Sequence, residues 1–168
     1  MQITDTLASL VSEALESAQT SGSLPAAGDV EIKIERPKMP EHGDFSTSLP
    51  LALARSMRMA PLQIAEAISA EIPEHHMVGS VTFAAPGFVN FTLSTKWLQL
   101  QVDVIREAGE KFGSVESGAG QSIQVEFVSV NPTGPLHVGH ARGAVIGSSL
   151  ANVLDAAGYD VQREYYVN

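Results

Sequence analysis

The stretch SIQVEFVSVNPTGPLHVGHARGAVIGSSLANVLDAAGYDVQREYYV, Ser122 to Val167, decides the fold of the second half of this chain. Its first part, SIQVEFVSV, is rich in β-branched residues and reads as a strand. A helix follows from about Gly139 to Ala157, with Gly158 as its stop, and DVQREYYV then reads as a second strand. Strand, helix, strand is one right-handed crossover unit of a parallel sheet. Two parallel strands do not make a domain, because such sheets need several strands covered on both faces. The chain is therefore expected to stop inside its second domain, and residues 123–168 to need cover along their exposed strand edges.

Between strand and helix stand His137 and His140, three residues apart in a Pro/Gly-rich turn. Three readings are open. As metal ligands they are poorly supplied: catalytic zinc takes three protein ligands, and the HExxH arrangement spaces its histidines by four with a glutamate between. As structural residues they could cap the turn. As part of a nucleotide site they would stand where a glycine-containing turn meets a helix N-terminus, which offers unpaired N–H groups and a positive dipole end to a phosphate. Gly139 and Gly143 would leave room for a base or ribose, and the imidazoles could donate to phosphate oxygens. Neither GxGxxG nor GxxxxGK[ST] is present, and the turn carries no lysine.

Upstream the pattern is different. Ile3, Leu7, Leu10, Val11, Ala14, Leu15 and Ala18 make the stripe of an amphipathic helix. VEIKIER alternates Val30, Ile32 and Ile34 with charges, the period of a half-buried strand closed by Pro37. Asp44 or Ser46 is expected to cap a second helix carrying Leu49, Leu51, Leu53 and Ala54, with Pro50 in its first turn. Pro61 suits the first turn of a third, through Ile64, Ala65, Ile68 and Ile72. VGSVTFAAPGFVNFTLS reads as two strands around Ala85-Pro86-Gly87. A fourth helix from about Thr95 carries Leu98, Val102, Ile105 and Phe112, before small residues of a linker. The expected organisation is an α+β domain over residues 1–112, a linker over 113–122 and the start of an α/β domain over 123–168.

Composition narrows the function. There is no cysteine among the 168 residues, which excludes disulfides, thiolate zinc sites and cysteine nucleophiles. The formal net charge of -9 argues against holding nucleic acid by bulk electrostatics. A local patch remains open: Lys33, Arg36, Lys38, Arg55 and Arg58 are five of the ten lysines and arginines. The alternative is a solvated face of mixed charge. No apolar run is long enough to cross a bilayer, and the N-terminus lacks the order of a signal peptide, so a cytoplasmic location is the expectation.

HVGH within NPTGPLHVGHARGAVIG resembles the HIGH signature of class I aminoacyl-tRNA synthetases. The longer run from Val125 to Asn168 is similar to the arginyl-tRNA synthetase family, and PKMPEHGDFST and APGFVNFTL resemble the extra N-terminal domain of that family. The resemblance covers nearly the whole chain. It implies a Rossmann-like class I catalytic domain after the first domain, and a two-step ligase that activates L-arginine with ATP, as its magnesium complex, then transfers it to the terminal adenosine of tRNA(Arg). It implies that His137, Gly139 and His140 hold ATP, with the two histidines as catalytic groups that stabilise growing phosphate charge. Glu126 would accept the substrate guanidinium in a bidentate way, with Ser129, Asn131 and His137 also touching arginine. In the first domain Phe88 would stack on an unpaired tRNA base at the D-loop and Asn90 would bond its edge.

Each role has a plainer alternative. Ser129 could bond local backbone, Asn131 could form a turn before Pro132, and Phe88 could pack against a helix. A buried, unpartnered Glu126 would be costly, which favours a site role. The resemblance places the KMSKS-type loop and the anticodon-binding domain outside this chain, so the chain alone is expected to be inactive and the full-length form a monomer. No tightly bound cofactor, metal site or membrane contact is expected. The other function classes are an RNA-binding module without catalysis and a protein-interaction domain without RNA contact.

Overall fold

The computed structural model describes residues 3–28, 30–131 and 133–166. It consists of two compact units, Met1–Asp103 and Val104–Asn168.

In the first unit, helix α1 (Ile3–Thr20) buries Leu7, Leu10, Val11, Ala14 and Ala18. These recur every three or four residues and so form one stripe, as expected, with Ile3 and Leu15 at its partly buried margins. The stripe packs against α3 (Pro61–Glu71), which buries Ile64, Ala65 and Ile68. Ser17 donates to the Glu71 carboxylate across this pair at 2.6 Å. Pro61 opens α3, where a missing N–H leaves no hydrogen bond unmade. Helix α2 (Leu49–Met57) carries Pro50 in its first turn and buries Leu49, Leu53 and Met57, while Leu51 faces outward.

Strands β1 (Phe45–Thr47), β2 (Val78–Ala84) and β3 (Phe88–Leu93) form an antiparallel sheet in the order β1-β3-β2. The β2–β3 hairpin turns at Ala85-Pro86-Gly87 as its sequence predicts. Gly87 has φ 155, and a Cβ there would lie 2.5 Å from the Pro61 ring, so the turn is pressed against the start of α3. Val89 and Phe91 are fully buried and join the helices in one core.

Three expectations give way. VEIKIER keeps its alternation at Ile32 and Ile34, which pack on the core, but Val30 is exposed, and the segment bonds the sheet only at an isolated bridge between Glu35 and Ser46. Period-two burial therefore occurs here without a strand ladder. Neither Asp44 nor Ser46 caps α2. Ser46 lies in β1, and the Asp44 carboxylate accepts from the Leu93 N–H at 2.7 Å, closing the end of β3. The hydroxyl of Thr47 accepts from Leu49 N–H instead. In helix α4 (Thr95–Ala108) the stripe is helical but not buried: Leu98, Val102 and Ile105 are 45%, 56% and 43% exposed, and Trp97 is what packs on the first core.

The second unit holds β4 (Ser122–Glu126), α5 (Val138–Ala156) and β5 (Asp160–Glu164). The strands pair in parallel from Ser122 with Asp160 to Glu126 with Glu164. The ladder ends at Glu126, short of the predicted Val130, and Val128 takes φ 63. A β-branched residue is strained there, since its Cβ crowds the backbone. Helix α5 lies on both strands through small residues: Gly147 and Ala151 are buried, and a Cβ on Gly147 would come 2.3 Å from Phe127. The small residues before β4 also serve close approach, with Val115, Gly118 and Gly120 donating backbone bonds to Ala156, Ala157 and Gly158. Among the described residues no helix is long and apolar enough to cross a membrane.

Replacing Phe91 by Ala empties the centre of the first core and is expected to cost about 3–5 kcal/mol in urea denaturation. Phe83, 42% exposed on the same sheet, should lose no more than about 0.5 kcal/mol on the same change. Equal losses at the two positions would contradict the assignment of β3 as the buried centre.

Candidate functional site

The sequence-predicted residues lie in two places, one in each unit. In the first unit a cavity of about 480 Å³ opens on the face of β3 away from Val89 and Phe91. Alternation along β3 sends Phe88 and Asn90 to this side, and both line the cavity. Asn90 is only 4% exposed. It sits beside Ser46 of β1, its register partner, which is also buried. A buried amide and hydroxyl without a mutual side-chain bond form a polar floor able to read the edge of a planar ligand. Phe88 is half-buried at the start of the strand, with its ring available as a wall.

The other wall comes from Glu35–Met39 and His42, which sequence reasoning did not assign to a site. The signal was available: Arg36 and Lys38 belong to the run that holds half of the cations. The expected strand hid it, because a strand carries its charges to solvent.

In the second unit His137 is the N-cap of α5. Its Nδ1 accepts from Gly139 N–H at 3.1 Å, and His140 Nδ1 accepts from His137 N–H at 3.3 Å. The two rings stack with centroids 3.7 Å apart and planes inclined by 27°. A histidine that accepts through Nδ1 carries its neutral-state proton on Nε2. The cap thus fixes both tautomers and leaves two Nε2–H donors side by side at a helix N-terminus. Gly139 is required for this: a Cβ there would sit 2.9 Å from His137 Cε1. The ring of His137 occupies the space that glycine was expected to leave for a base or ribose.

Glu126 ends β4 at its carboxyl edge, level with Glu164 on β5. It is exposed, so the burial argument for its role does not hold, and its position at the strand end is what supports a site. The Ser129 hydroxyl accepts from Tyr166 N–H at 2.9 Å, tying the loops that leave the two strands. Asn131 lies in the same loop, with its carbonyl accepting from Thr133 N–H. Among the described residues no three histidines or carboxylates cluster in a way that could hold a metal ion.

Residues 5–93 match the family profile described as arginyl tRNA synthetase N terminal domain, more than half of the chain. The chain belongs to the arginyl-tRNA synthetase family. Residues 101–168 match the catalytic domain of class I tRNA synthetases of the arginine type. The arginine–tRNA ligase of Thioalkalivibrio sulfidiphilus is 45% identical over 164 residues, covering 98% of this chain and 28% of that protein. That of Legionella pneumophila strain Paris is 48% identical over 159 residues, covering 95% and 27%. The solved arginyl-tRNA synthetase of Thermus thermophilus superposes with a TM-score of 0.62 at 27% identity, over 99% of this chain and 26% of that one. The chain thus spans about a quarter of the length of the curated relatives it matches. Class I aminoacyl-tRNA synthetases use ATP, and the histidine cap of this arginyl-tRNA synthetase chain lies within its class I catalytic match.

Long-range 1H–15N spectra at alkaline pH are expected to place the ring proton of both His137 and His140 on Nε2. In Gly139→Ala the His137 ring should be displaced, with loss of about 1 kcal/mol of helix-capping stability. A proton on His137 Nδ1 would contradict the cap.

Proposed function

We propose that this chain forms the tRNA-contacting domain and the first part of the catalytic domain of an arginine–tRNA ligase, which activates L-arginine with ATP and transfers it to the 3′-terminal adenosine of tRNA(Arg). The observation that carries the reading is the pair of stacked histidines, each held through its Nδ1, at the N-terminus of α5.

The chemistry follows from that arrangement. A carboxylate oxygen of arginine attacks the α-phosphorus of ATP, the bond to the bridging oxygen breaks, and pyrophosphate leaves. Negative charge moves onto phosphate oxygens, where His137 and His140 donate hydrogen bonds and the helix N-terminus adds its positive end. Neither ring forms a bond to the substrate. Because the donors are held by the cap before ATP arrives, they need no reorganisation as charge develops. Gly139 lets the ATP-holding turn close. Glu126 receives the guanidinium of arginine, and Ser129, Asn131 and His137 hold its backbone groups. The tRNA 2′-hydroxyl then attacks the arginyl carbonyl, and AMP leaves. Magnesium would be supplied with ATP, where it would neutralise phosphate charge beside the histidine donors.

Phe88 and Asn90 hold an unpaired base of the tRNA D-loop, by stacking and by amide bonds. In this reading residues 1–112 contact tRNA, 113–122 connect, and 123–168 begin catalysis. The protein works in the cytoplasm, and its full-length form is a monomer. A second reading, an RNA-binding module without catalysis in this chain, is favoured by the cavity lining lying wholly within residues 35–90.

A chimaera tests both. When this chain replaces the matching quarter of the Legionella pneumophila ligase, arginine-dependent ATP–pyrophosphate exchange is expected, and His140→Ala should lower it by about 10²–10³-fold. The isolated chain should show no exchange. Full activity of His140→Ala in the chimaera would rule out the electrostatic role. Phe88→Ala should weaken binding of tRNA(Arg) by about 1–3 kcal/mol.

A further inference from the structure

We infer that the free edge of β2, with the groove between it and α3, is a docking site for an extended, cationic peptide segment of a partner protein, which adds a strand to the sheet of the first unit.

The edge is unblocked. The order β1-β3-β2 pairs β2 on one side only. The other edge strand, β1, is bonded on its outer side by the bridge between Glu35 and Ser46. Among the described residues nothing bonds the outer side of β2 over residues 80–84. Exposed edges are commonly blunted by lysine, proline or a bulge. VGSVTFA contains neither residue, and its irregularity at Gly79 leaves the ladder regular from Ser80 onward.

The core face beside that edge is also open. Val81 and Phe83 stand opposite Phe91 and Val89 and so share their face, yet Phe83 is 42% exposed and no residue of β2 is buried. On α3, Leu62, Glu66 and Ser69 follow at helical spacing, which puts them on one side of that helix. Glu66, Ser69 and Phe83 line a cavity of about 490 Å³. A second, of about 550 Å³, shares Val81 with it and reaches Glu74 and His75.

Two features of this groove point to its occupant. The Ser69 hydroxyl is buried without a hydrogen-bond partner although it lines the first cavity. Leaving such a group unbonded is costly, and a polar group entering the groove would satisfy it. The second feature is charge. Glu66 and Glu74 are exposed and make no ion pair among the described residues, and no lysine or arginine lines either cavity. A second copy of the chain, itself of net charge -9, would set acids against acids, whereas a cationic segment is matched. In such an added strand the main chain bonds to β2 and alternate side chains turn toward α3. An apolar one covers Phe83, and a lysine or arginine at the next such position reaches Glu66.

The probe is a fluorescein-labelled peptide that repeats threonine, valine, threonine and lysine, titrated into the 168-residue chain by anisotropy, with amide exchange followed by NMR. Binding should protect alternate amides of residues 80–84. N-methylating one of the two alternating sets of peptide amides should abolish binding, and N-methylating the other should not. Glu66→Lys should weaken binding about fivefold. Ser69→Ala should raise the urea midpoint of the free chain yet weaken peptide binding about fivefold. If the peptide binds equally well whichever set is N-methylated, the attraction is charge alone and the docking site is overturned. Parental affinity in both Glu66→Lys and Ser69→Ala would overturn the groove. Dimerisation without peptide, protecting the same amides, would replace the proposed occupant by a second copy and overturn the cationic partner.

Discussion

Strand β3 must satisfy two faces at once, and the first unit is arranged around that constraint. Val89 and Phe91 are fully buried against the helices, while Asn90 between them is 4% exposed on the opposite face. A central strand with both neighbours in place has its backbone bonds made by β1 and β2, so neither face has to supply them. That frees the second face to carry polar side chains. A shift of one residue in register would exchange the two sets, putting an amide in the core and a phenyl ring in the cavity. Core and candidate site are therefore specified by the same pairing. The Asp44 carboxylate at Leu93 N–H and the flat approach of Gly43 fix that pairing at one end.

In the second unit the same economy operates on a smaller scale. The structural and ligand readings of His137 and His140 looked like alternatives, but they use different atoms. The cap uses both Nδ1 positions, and under the proposed function the Nε2 positions are the ones that would meet a substrate. A side chain that satisfies an orphan N–H at a helix start is held in one rotamer by doing so, and the rigidity needed for electrostatic stabilisation is the by-product. The pattern HxGH has a local explanation in this light. The first histidine folds back over the glycine, and the second reaches one turn back to the first.

Much of the fold was legible because it rests on local periodicity. The α1 stripe, Pro61 at the start of α3 and the hairpin at Ala85-Pro86-Gly87 all follow from spacing and from fixed backbone preferences. Where legibility failed, a distant partner decided. Alternation in VEIKIER predicts which residues face the core but not whether a neighbouring strand is there to bond. Asp44 looks like a helix cap in sequence, and its actual partner, Leu93 N–H, is 49 residues away. The α4 stripe shows the converse: Leu98, Val102 and Ile105 are spaced for burial yet lie exposed. The site was legible where a motif carried it, at the histidines, and obscure where non-contiguous segments meet. Arg36, Lys38, Ser46 and Asn90 become neighbours of one cavity only through the sheet.

The acidic balance of the chain is compatible with binding a polyanion once distance is considered. A net charge of -9 is a sum over the whole molecule, whereas at physiological salt a charge is screened over about 8 Å. What an anion at the cavity would meet is set by the charged residues that line it, Glu35 among them, and distant acids would act on it weakly. The same screening limits what such a site can do: without a broad cationic surface there is little sequence-independent attraction to make up for a poor fit. Under the proposed function, affinity then depends on the groups that would match one base in shape, the Phe88 ring and the Asn90 amide, more than on net charge.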